Sequence, residues 1–293
     1  MHDSSLSVRC GVRVAIEIVV DVVRLEEKLI IEAFREAGLD VTIVNLKNTP
    51  ITWSDLSLDA SIIRPISMYK AVYTASIRES TGIYTVNNSR SLLVSGDKIL
   101  TLSVLKKVGI PFPETIIAFS GEAVLSASKI IDFPFVDKPP VGSWGRLVTL
   151  VRDIGTLKSI IEHREMMLSQ SMKTHLIQRF IESDGKKDIR VLTIGDHVVG
   201  AVARIPNDGE WRSNVALGGK TEPYKLDEEL EEIVLKTVKE VGGEFMAIDL
   251  FVSDGRYLVN EVNGVPEFKG FMKALKINVP KLLAKYVKDK LKK

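Results

Sequence analysis

The chain is poor in the residues that form cross-links and soft metal centres. Its 293 residues include one cysteine, Cys10, and four histidines. A single cysteine cannot close an intramolecular disulfide and excludes a cysteine-rich zinc site. The histidines show no ligand spacing. We therefore expect a protein of a reducing compartment, the cytoplasm.

An excess of charge of either sign is also missing, as is a long apolar run. The 40 Lys+Arg and 38 Asp+Glu residues leave a net charge of +2. Such a balance gives no general electrostatic footprint for nucleic acid. The apolar run at 12–23 is interrupted by Arg13, Glu17 and Asp21, so it is too short and too charged to span a membrane. Neither nucleic acid nor a membrane is an expected partner.

Short apolar segments alternate with amphipathic ones in the first third of the chain. The pattern predicts strands at 12–20, 41–44, 60–63 and 84–86, and helices at 25–37 and 68–80. Alternation of this kind is typical of a small parallel sheet. We place this N-terminal α/β unit at residues 1–95.

Two further units follow. Asp97 caps a predicted helix that ends at Gly109, and a mixture of strands and helices continues to residue 172. Strands dominate afterwards, at 175–181, 189–194, 197–204, 245–252 and 257–263, with a helix at 228–241. We predict an α/β (α+β) protein with a central unit at 96–172 and an antiparallel C-terminal unit at 173–293.

A carboxylate and a carboxamide stand near the end of the last predicted strand. Glu261 and Asn263 are two positions apart, so they share a face with Cα atoms roughly 6.6 Å apart, close enough to bind one hard cation such as Mg²⁺. A three-residue turn after the preceding strand would place Asp249 opposite Val259, on that same face. A capped strand end with solvated acids is the alternative.

The loop at 138–146 combines glycines with cations. Gly142 and Gly145 flank Ser143 and Trp144, and Lys138 and Arg146 stand at the ends. Such a loop can turn its N–H groups toward phosphate oxygens. Its spacing matches neither a Walker sequence nor a dinucleotide fingerprint. By itself it is equally compatible with an ordinary hairpin loop.

Two other polar segments are less specific when taken alone. The strand that contains Gln178 could pair a free backbone edge with adenine, or simply form a sheet edge. Arg204 and the run Arg212-Ser213-Asn214 add cations and an amide between strands. Charged surface loops of this kind are common.

The order of these motifs is more specific than any one of them. In chain order they are Asp97-Lys98, Lys138, Gly142-Ser143-Trp144-Gly145, Gln178, Asp188-Ile189-Arg190, Arg212-Ser213-Asn214, Asp249 and Glu261-Val262-Asn263. From residue 12 onward the chain resembles ATP-grasp ligases of the RimK type. Segments 141–146 and 261–269 resemble the LysX/ArgX branch, whose members join an amino acid to the C-terminal glutamate of the small acidic carrier LysW.

The resemblance assigns roles to these residues. ATP phosphates would be held by Lys98 and Lys138 beneath a loop formed by Gly142, Ser143, Trp144, Gly145 and Arg146. Adenine would be received by Gln178, Arg179, Phe180 and Ile181, and Asp188, Arg190 and Asn214 would complete the nucleotide site. Mg²⁺ would be bound by Asp249, Glu261 and Asn263, and the catalytic cations would be Arg190, Arg204 and Arg212. Asp137 departs from the family pattern, which usually has an aliphatic residue before the loop lysine.

The resemblance also implies the reaction. ATP would phosphorylate a carboxylate, and an amine would attack the acyl phosphate to give an amide. Aminoadipate-specific members carry Asn-Thr where this chain has Gly270-Phe271, so the expected amino acid is glutamate, in arginine biosynthesis. Its carboxylates would meet Arg190, Arg204, Asn214 and Lys269 beside Gly270 and Phe271.

Three alternatives remain open. One is an aminoadipate–LysW ligase of lysine biosynthesis, and another is a RimK-type glutamate ligase acting on another protein or a coenzyme. The third is a nucleotide-binding regulator without ligase activity. The family also suggests a homotetramer.

Overall fold

The computed structural model describes residues 14–54, 56–142, 145–207 and 219–292. Its N-terminal unit comprises β1 (Ala15–Val20), α1 (Leu25–Glu36), β2 (Asp40–Asn45), β3 (Ala60–Ile63), α2 (Met68–Ser80), β4 (Tyr84–Val86) and α3 (Ser89–Gly96). The four strands form one parallel sheet in the order β2-β1-β3-β4. The predicted parallel sheet is therefore confirmed.

The central unit is a four-stranded antiparallel sheet with helices. Its elements are α4 (Lys98–Val108), β5 (Thr115–Ala118), α5 (Gly121–Ala127), β6 (Phe135–Lys138), β7 (Thr149–Val151), α6 (Ile154–Glu165), α7 (Gln170–Lys173) and β8 (His175–Arg179). The strand order is β5-β8-β6-β7. Because β8 pairs with β5 and β6, this sheet continues to Arg179, beyond the predicted end of the unit at residue 172.

The C-terminal unit is built on a five-stranded antiparallel sheet of order β11-β10-β9-β12-β13. Its elements are β9 (Asp188–Ile194), β10 (His197–Ile205), β11 (Lys220–Tyr224), α8 (Glu228–Val241), β12 (Phe245–Ser253), β13 (Arg256–Asn263), α9 (Lys269–Leu275) and α10 (Val279–Lys290). A 3₁₀ turn at Asp184–Lys186 precedes them. No helix in the described part of the chain is long and apolar enough to cross a membrane.

The two faces of this five-stranded sheet pack against different partners. Along β12, Phe245 and Ala247 belong to a core shared with β1, β3 and α1, whereas Ile248 and Leu250 pack against α4 and α8. Side chains at i and i+2 share a face. Asp249 therefore projects from the face that carries the N-terminal unit.

A buried arginine joins the N-terminal unit to the C-terminal one. Arg64, at the end of β3, is 1% exposed and lies 5.8 and 6.0 Å from the ring centroids of Phe245 and Phe268. Its Nη2 donates to the carbonyl oxygen of Pro266 and to Glu27 Oε1, both at 3.0 Å. Ring contacts and charge-assisted bonds together fix the segment that leads from β13 into α9.

Asn87 makes a second connection between the two units. Its Oδ1 accepts from the N–H groups of Glu244 and Phe245 at 2.6 and 2.8 Å. Its Nδ2 donates to the carbonyl oxygens of Phe245 and Gly264 at 2.6 and 2.7 Å. One side chain thus satisfies backbone groups at the start of β12 and the end of β13, which fixes the hairpin that carries Asp249.

Candidate active site

Three oxygen-bearing side chains meet on the hairpin of β12 and β13. Asp249 lies directly opposite Glu261 in the strand pairing. Asn263, two residues further on, donates from Nδ2 to Asp249 Oδ2 at 3.5 Å. The sequence predicts this shared face, and the structure places all three residues on it.

The register of the hairpin differs from the predicted one. The turn has two residues rather than three, so Leu250 lies opposite Val259, and the predicted pairing of Asp249 with Val259 is wrong. Asn260 then forms a β-bulge, an extra residue without a partner across the ladder. The bulge returns Asp249 to the face of Glu261.

Two arginines neutralise Asp249. Arg190, its neighbour on β9, donates from Nε and Nη2 to the two carboxylate oxygens at 2.7 Å each. Arg204 Nη2 lies 2.9 Å from Asp249 Oδ2, and its Nε and Nη2 both donate to Asp188 at 2.6 Å. Burial opposes the ionised form of Asp249, but the charges of Arg190 and Arg204 prevail and lower its pKa to about 2.

The two arginines differ in how open they are to a ligand. The Arg204 side chain is 5% exposed and bound to two carboxylates, whereas that of Arg190 is 18% exposed. Burial lowers the pKa of Arg204, but Asp188 and Asp249 raise it to well above its ordinary value. Of these two arginines, Arg190 is therefore the one whose side chain is more accessible to a substrate.

Two lysines face the hairpin from the central unit. Lys98 opens α4, where Asp97 caps the N–H groups of Ile99 and Leu100. Lys98 Nζ lies 3.4 Å from Glu261 Oε1 and donates to the carbonyl oxygen of Gly142 at 3.2 Å. Its backbone N–H bonds to the carbonyl oxygen of Pro140 at 2.9 Å, which brings the start of the glycine loop to the helix.

Lys138 is a buried cation in contact with neutral groups. Its Nζ donates to Gln178 Oε1 at 2.9 Å and to Asn260 Oδ1 at 3.0 Å. Burial, and then the charge of Lys98, lower its pKa to about 7, although Glu261 acts in the opposite direction. A bound phosphate would supply the missing negative charge.

The other predicted nucleotide residues are dispersed. Gln178 faces the Lys138 side of the central sheet and donates to Thr115 Oγ1 at 3.1 Å. Arg179 lies on the opposite face, exposed and ion-paired with Glu114 at 2.5 Å. Phe180 and Ile181 are half-buried after the end of β8. Four further residues with predicted roles lie outside the residues that the structure describes: Ser143, Trp144, Arg212 and Asn214.

The residues predicted to lie beside the amino acid, Lys269, Gly270 and Phe271, form the start of α9, which packs against β10 and β11. Thr221 is the partner of Arg204 on β11, and its Oγ1 donates to the carbonyl oxygen of Gly270 at 3.5 Å. Phe271 is 3% exposed and packs in the core next to Gly200, where a Cβ would lie 3.2 Å from its ring. Lys269 is exposed at the start of the helix.

Sequence reasoning missed two contributors to this site. Asn260 accepts a hydrogen bond from Lys138, and the bulge that it forms has no local signature in the sequence. Thr221 lies on β11, a polar strand that includes Pro223 and for which the sequence predicts no element. Neither residue could be identified as part of the site without the tertiary contacts that it makes.

The donor set on the hairpin suits a hard divalent cation. Within the residues that the structure describes, no group of three or more His, Cys, Asp or Glu side chains is arranged to hold a metal. Asp249, Glu261 and Asn263 instead combine two carboxylates with one amide oxygen. Oxygen ligands of this kind fit Mg²⁺.

Fold and site together define an ATP-dependent ligase of the ATP-grasp class. Family models match the chain in two parts, the LysX preATP-grasp domain over residues 16–94 and the RimK-like ATP-grasp domain over residues 95–287. The chain belongs to the RimK-like ATP-grasp family. It is an ADP-forming carboxylate–amine ligase that uses ATP, which confirms the resemblance seen in the sequence.

Individual relatives agree with this assignment. Glutamate–LysW ligase ArgX of Sulfurisphaera tokodaii is 47% identical over 275 residues, which cover 93% of this chain and 97% of that protein. Alpha-aminoadipate–LysW ligase LysX of the same organism is 38% identical and covers 94% of this chain and 99% of its own length. A RimK domain ATP-grasp protein from Sphaerobacter thermophilus has the same fold, with a TM-score of 0.78 at 23% identity, covering 93% of this chain and 98% of that one.

Proposed function

We propose that the enzyme joins the amino group of glutamate to the C-terminal glutamate carboxylate of LysW, in arginine biosynthesis. The observation that carries the choice is the greater identity to the glutamate–LysW ligase, 47%, than to the aminoadipate–LysW ligase, 38%. The family resemblance supports the same choice, because aminoadipate-specific members carry Asn-Thr where this chain has Gly270-Phe271.

The chemistry requires little covalent participation by the protein. Lys98 and Lys138 neutralise the phosphates, so that the carrier carboxylate can accept the phosphoryl group. Arg190 is the accessible cation that orients a carboxylate beside them. Glutamate nitrogen then attacks the acyl phosphate, with loss of phosphate and a proton.

We assign the hairpin to Mg²⁺. Asp249, Glu261 and Asn263 would hold the ion, which supplies positive charge to the transferring phosphoryl group. Because Asp249 already faces Arg190 and Arg204, the protein stabilises its negative charge before any cation binds.

A competition assay tests the proposed function. The purified enzyme is incubated with ATP, Mg²⁺, LysW and equal concentrations of glutamate and aminoadipate, and the carrier is analysed by mass spectrometry. We expect glutamate to be the main adduct, and LysW without its C-terminal glutamate to remain unmodified. Preferential transfer of aminoadipate would overturn the amino-acid assignment, whereas ATP binding without any amide would favour a regulator.

The setting of the reaction is also a proposal. We place the enzyme in the cytoplasm and expect a homotetramer by family resemblance. Sedimentation equilibrium of the purified protein checks the oligomeric state, and a monomer at assay concentration would contradict it.

A further inference from the structure

A buried ion pair lies behind the strand that carries Lys138. Asp137, the preceding residue, is 0% exposed, and its Oδ2 lies 2.8 Å from Arg164 Nη2 while its Oδ1 lies 2.9 Å from His175 Nδ1. Strand alternation puts Asp137 and Lys138 on opposite faces of the central sheet. The acid that departs from the family pattern therefore faces α6 rather than the nucleotide.

Asp137 stands at the base of the glycine loop. It pairs with Thr149 across β6 and β7. In the structure the glycine loop is the segment 139–148, which connects these two strands. Arg164 reaches the far end of the loop, where its Nη2 donates to the carbonyl oxygen of Leu147 at 3.4 Å. Leu147 has φ of 58°, a left-handed conformation that costs energy in a residue with a branched side chain.

Arg164 also fixes the chain that enters β8. Its Nη1 donates to the carbonyl oxygens of Met172 and Thr174 at 3.0 and 3.1 Å. Gln178, which receives a hydrogen bond from Lys138, lies on β8. One guanidinium at the end of α6 thus contacts Asp137 on β6, Leu147 near the end of the loop, and the two residues Met172 and Thr174 that precede β8.

The end of the loop also borders an open cavity. A cavity of about 300 Å³ lies beside the ion pair and is lined by Leu147, Ile160, Met166 and Met167 together with Asp137 and Arg164. Leu147 therefore borders an open cleft on one side, and its carbonyl oxygen accepts from Arg164 on the other.

We propose that Asp137 and Arg164 are positioning residues for the phosphate-binding loop and Lys138. The inference rests on the proposed role of this loop in holding ATP. The pair ties the end of β6, next to Lys138, to Leu147 near the end of the loop, so that Lys138 faces the phosphates and water is excluded from the acyl phosphate. It acts through Lys138 and the loop without touching the nucleotide.

Three variants test the proposal. Arg164→Met removes the guanidinium, and Asp137→Asn removes the charge but keeps the shape. Asp137→Leu with Arg164→Met replaces the ion pair by apolar groups, and it also takes from His175 its carboxylate partner. The matched control is Arg78→Met in the N-terminal unit, where Arg78 and Glu17 form another buried pair at 2.6 Å. All are compared at a temperature at which circular dichroism shows them folded.

ADP affinity by calorimetry and the ratio of ADP to amide formed are the readouts. We expect roughly tenfold weaker ADP binding and an increased ratio in Arg164→Met and in the apolar double variant, unchanged KM for glutamate, and wild-type values in the Arg78→Met control. Asp137→Asn should show the same changes to a smaller extent.

A wild-type ADP affinity together with a wild-type ratio of ADP to amide in the Arg164→Met and double variants would overturn the proposal. Asp137 and Arg164 would then have only a structural role. Should Arg164→Met fail to fold, Asp137→Asn and the double variant decide by the same criteria. ADP binding requires neither LysW nor glutamate. A wild type that binds ADP but makes no LysW amide would therefore overturn the proposed function and leave this inference testable.

Discussion

Two acidic residues of the same hairpin have different surroundings. Asp249 is 2% exposed and contacts two arginines, whereas the Glu261 side chain is 29% exposed and lies near Lys98. Removal of either carboxylate takes one oxygen ligand from the proposed Mg²⁺ site. Only the removal of Asp249 takes a counter-charge from guanidinium groups, since Arg190 then loses its carboxylate partner and buried Arg204 keeps only Asp188.

We predict that Glu261→Ala and Asp249→Ala both abolish ligation, with different effects on stability. Glu261→Ala should leave the free energy of unfolding nearly unchanged, whereas Asp249→Ala should lower it by about 3 kcal/mol, because Arg190 loses its carboxylate partner and Arg204 loses one of its two. Amide formation over a Mg²⁺ titration and urea unfolding measure the two effects. Full Mg²⁺-dependent activity in either variant would refute the metal assignment.

The pKa of Lys138 predicts a pH dependence of nucleotide binding. At a pKa of about 7, much of Lys138 is neutral in the free enzyme above neutral pH, whereas phosphate favours its protonated form. The complex then holds more protons than its components, so ATP affinity should fall as the pH rises above 7. Calorimetry in buffers of different ionisation enthalpy should show proton uptake, and Lys138→Met should abolish it. Affinity that increases over this range would contradict the prediction.

At the scale of secondary structure, the sequence predicts the elements that carry their own signals. The bounds of α2 and α8 agree with the predicted helices, and α8 has an Asp227 cap and Gly242 at its end. β11 and α9 were not predicted, because one is a polar edge strand with a proline and the other is a short helix held by contacts with β10 and β11.

The residues of the site, like the helices and strands, were predicted only where local sequence spacing determines their position. Strand alternation was sufficient to bring Glu261 and Asn263 to one face, since it depends only on sequence spacing. The position of Asp249 depended on a turn length and a bulge that the sequence does not specify. The approach of Lys138 to Asn260 joins two units of the chain, and no local pattern predicts it.

Helix α9 is the element at which amino-acid choice can be tested. We predict that Gly270→Asn with Phe271→Thr shifts the ratio of kcat/KM from glutamate toward aminoadipate, by an amount equivalent to about 1 to 3 kcal/mol. Loss of the Phe271 ring beside Gly200 should also reduce stability, because it leaves a cavity. Gly270→Asn alone is the control that keeps the ring. An unchanged ratio in the double variant would contradict the prediction.

At the scale of the whole molecule, Glu27 forms ion pairs with the two arginines that reach from the N-terminal unit to the C-terminal one. Glu27 bonds to Arg24 at 2.8 Å and to Arg64 at 3.0 Å, and Arg24 reaches Glu267 of the C-terminal unit at 2.8 Å. Burial raises the pKa of Glu27, but the hydrogen bond from Arg24 and the charge of Arg64 lower it to about 2. The junction therefore depends on an ionised carboxylate.

We predict acid sensitivity from this junction. A carboxylate with a depressed pKa contributes stability that is present above its unfolded pKa of about 4.3 and is lost as the pH falls toward 2. Glu27→Gln should lower the free energy of unfolding at pH 7 by about 3 kcal/mol and flatten its decline in acid. Urea unfolding between pH 7 and pH 3 measures both effects, with Glu36→Gln on the exposed side of α1 as the control. An equally steep decline in Glu27→Gln would refute the assignment.

The span of the Arg64 contact bears on how the protein is made. Pro266, whose carbonyl oxygen accepts a hydrogen bond from Arg64, lies 202 residues after Arg64 in the chain. Glu244, whose N–H donates to Asn87, lies 157 residues after Asn87. At translation rates of about 5 to 20 residues per second, Arg64 waits roughly 10 to 40 seconds for that carbonyl. The N-terminal unit thus leaves the ribosome with its docking face still hydrated. Docking of the N-terminal unit onto the C-terminal one is a late event in biosynthesis, after the β12–β13 hairpin has emerged.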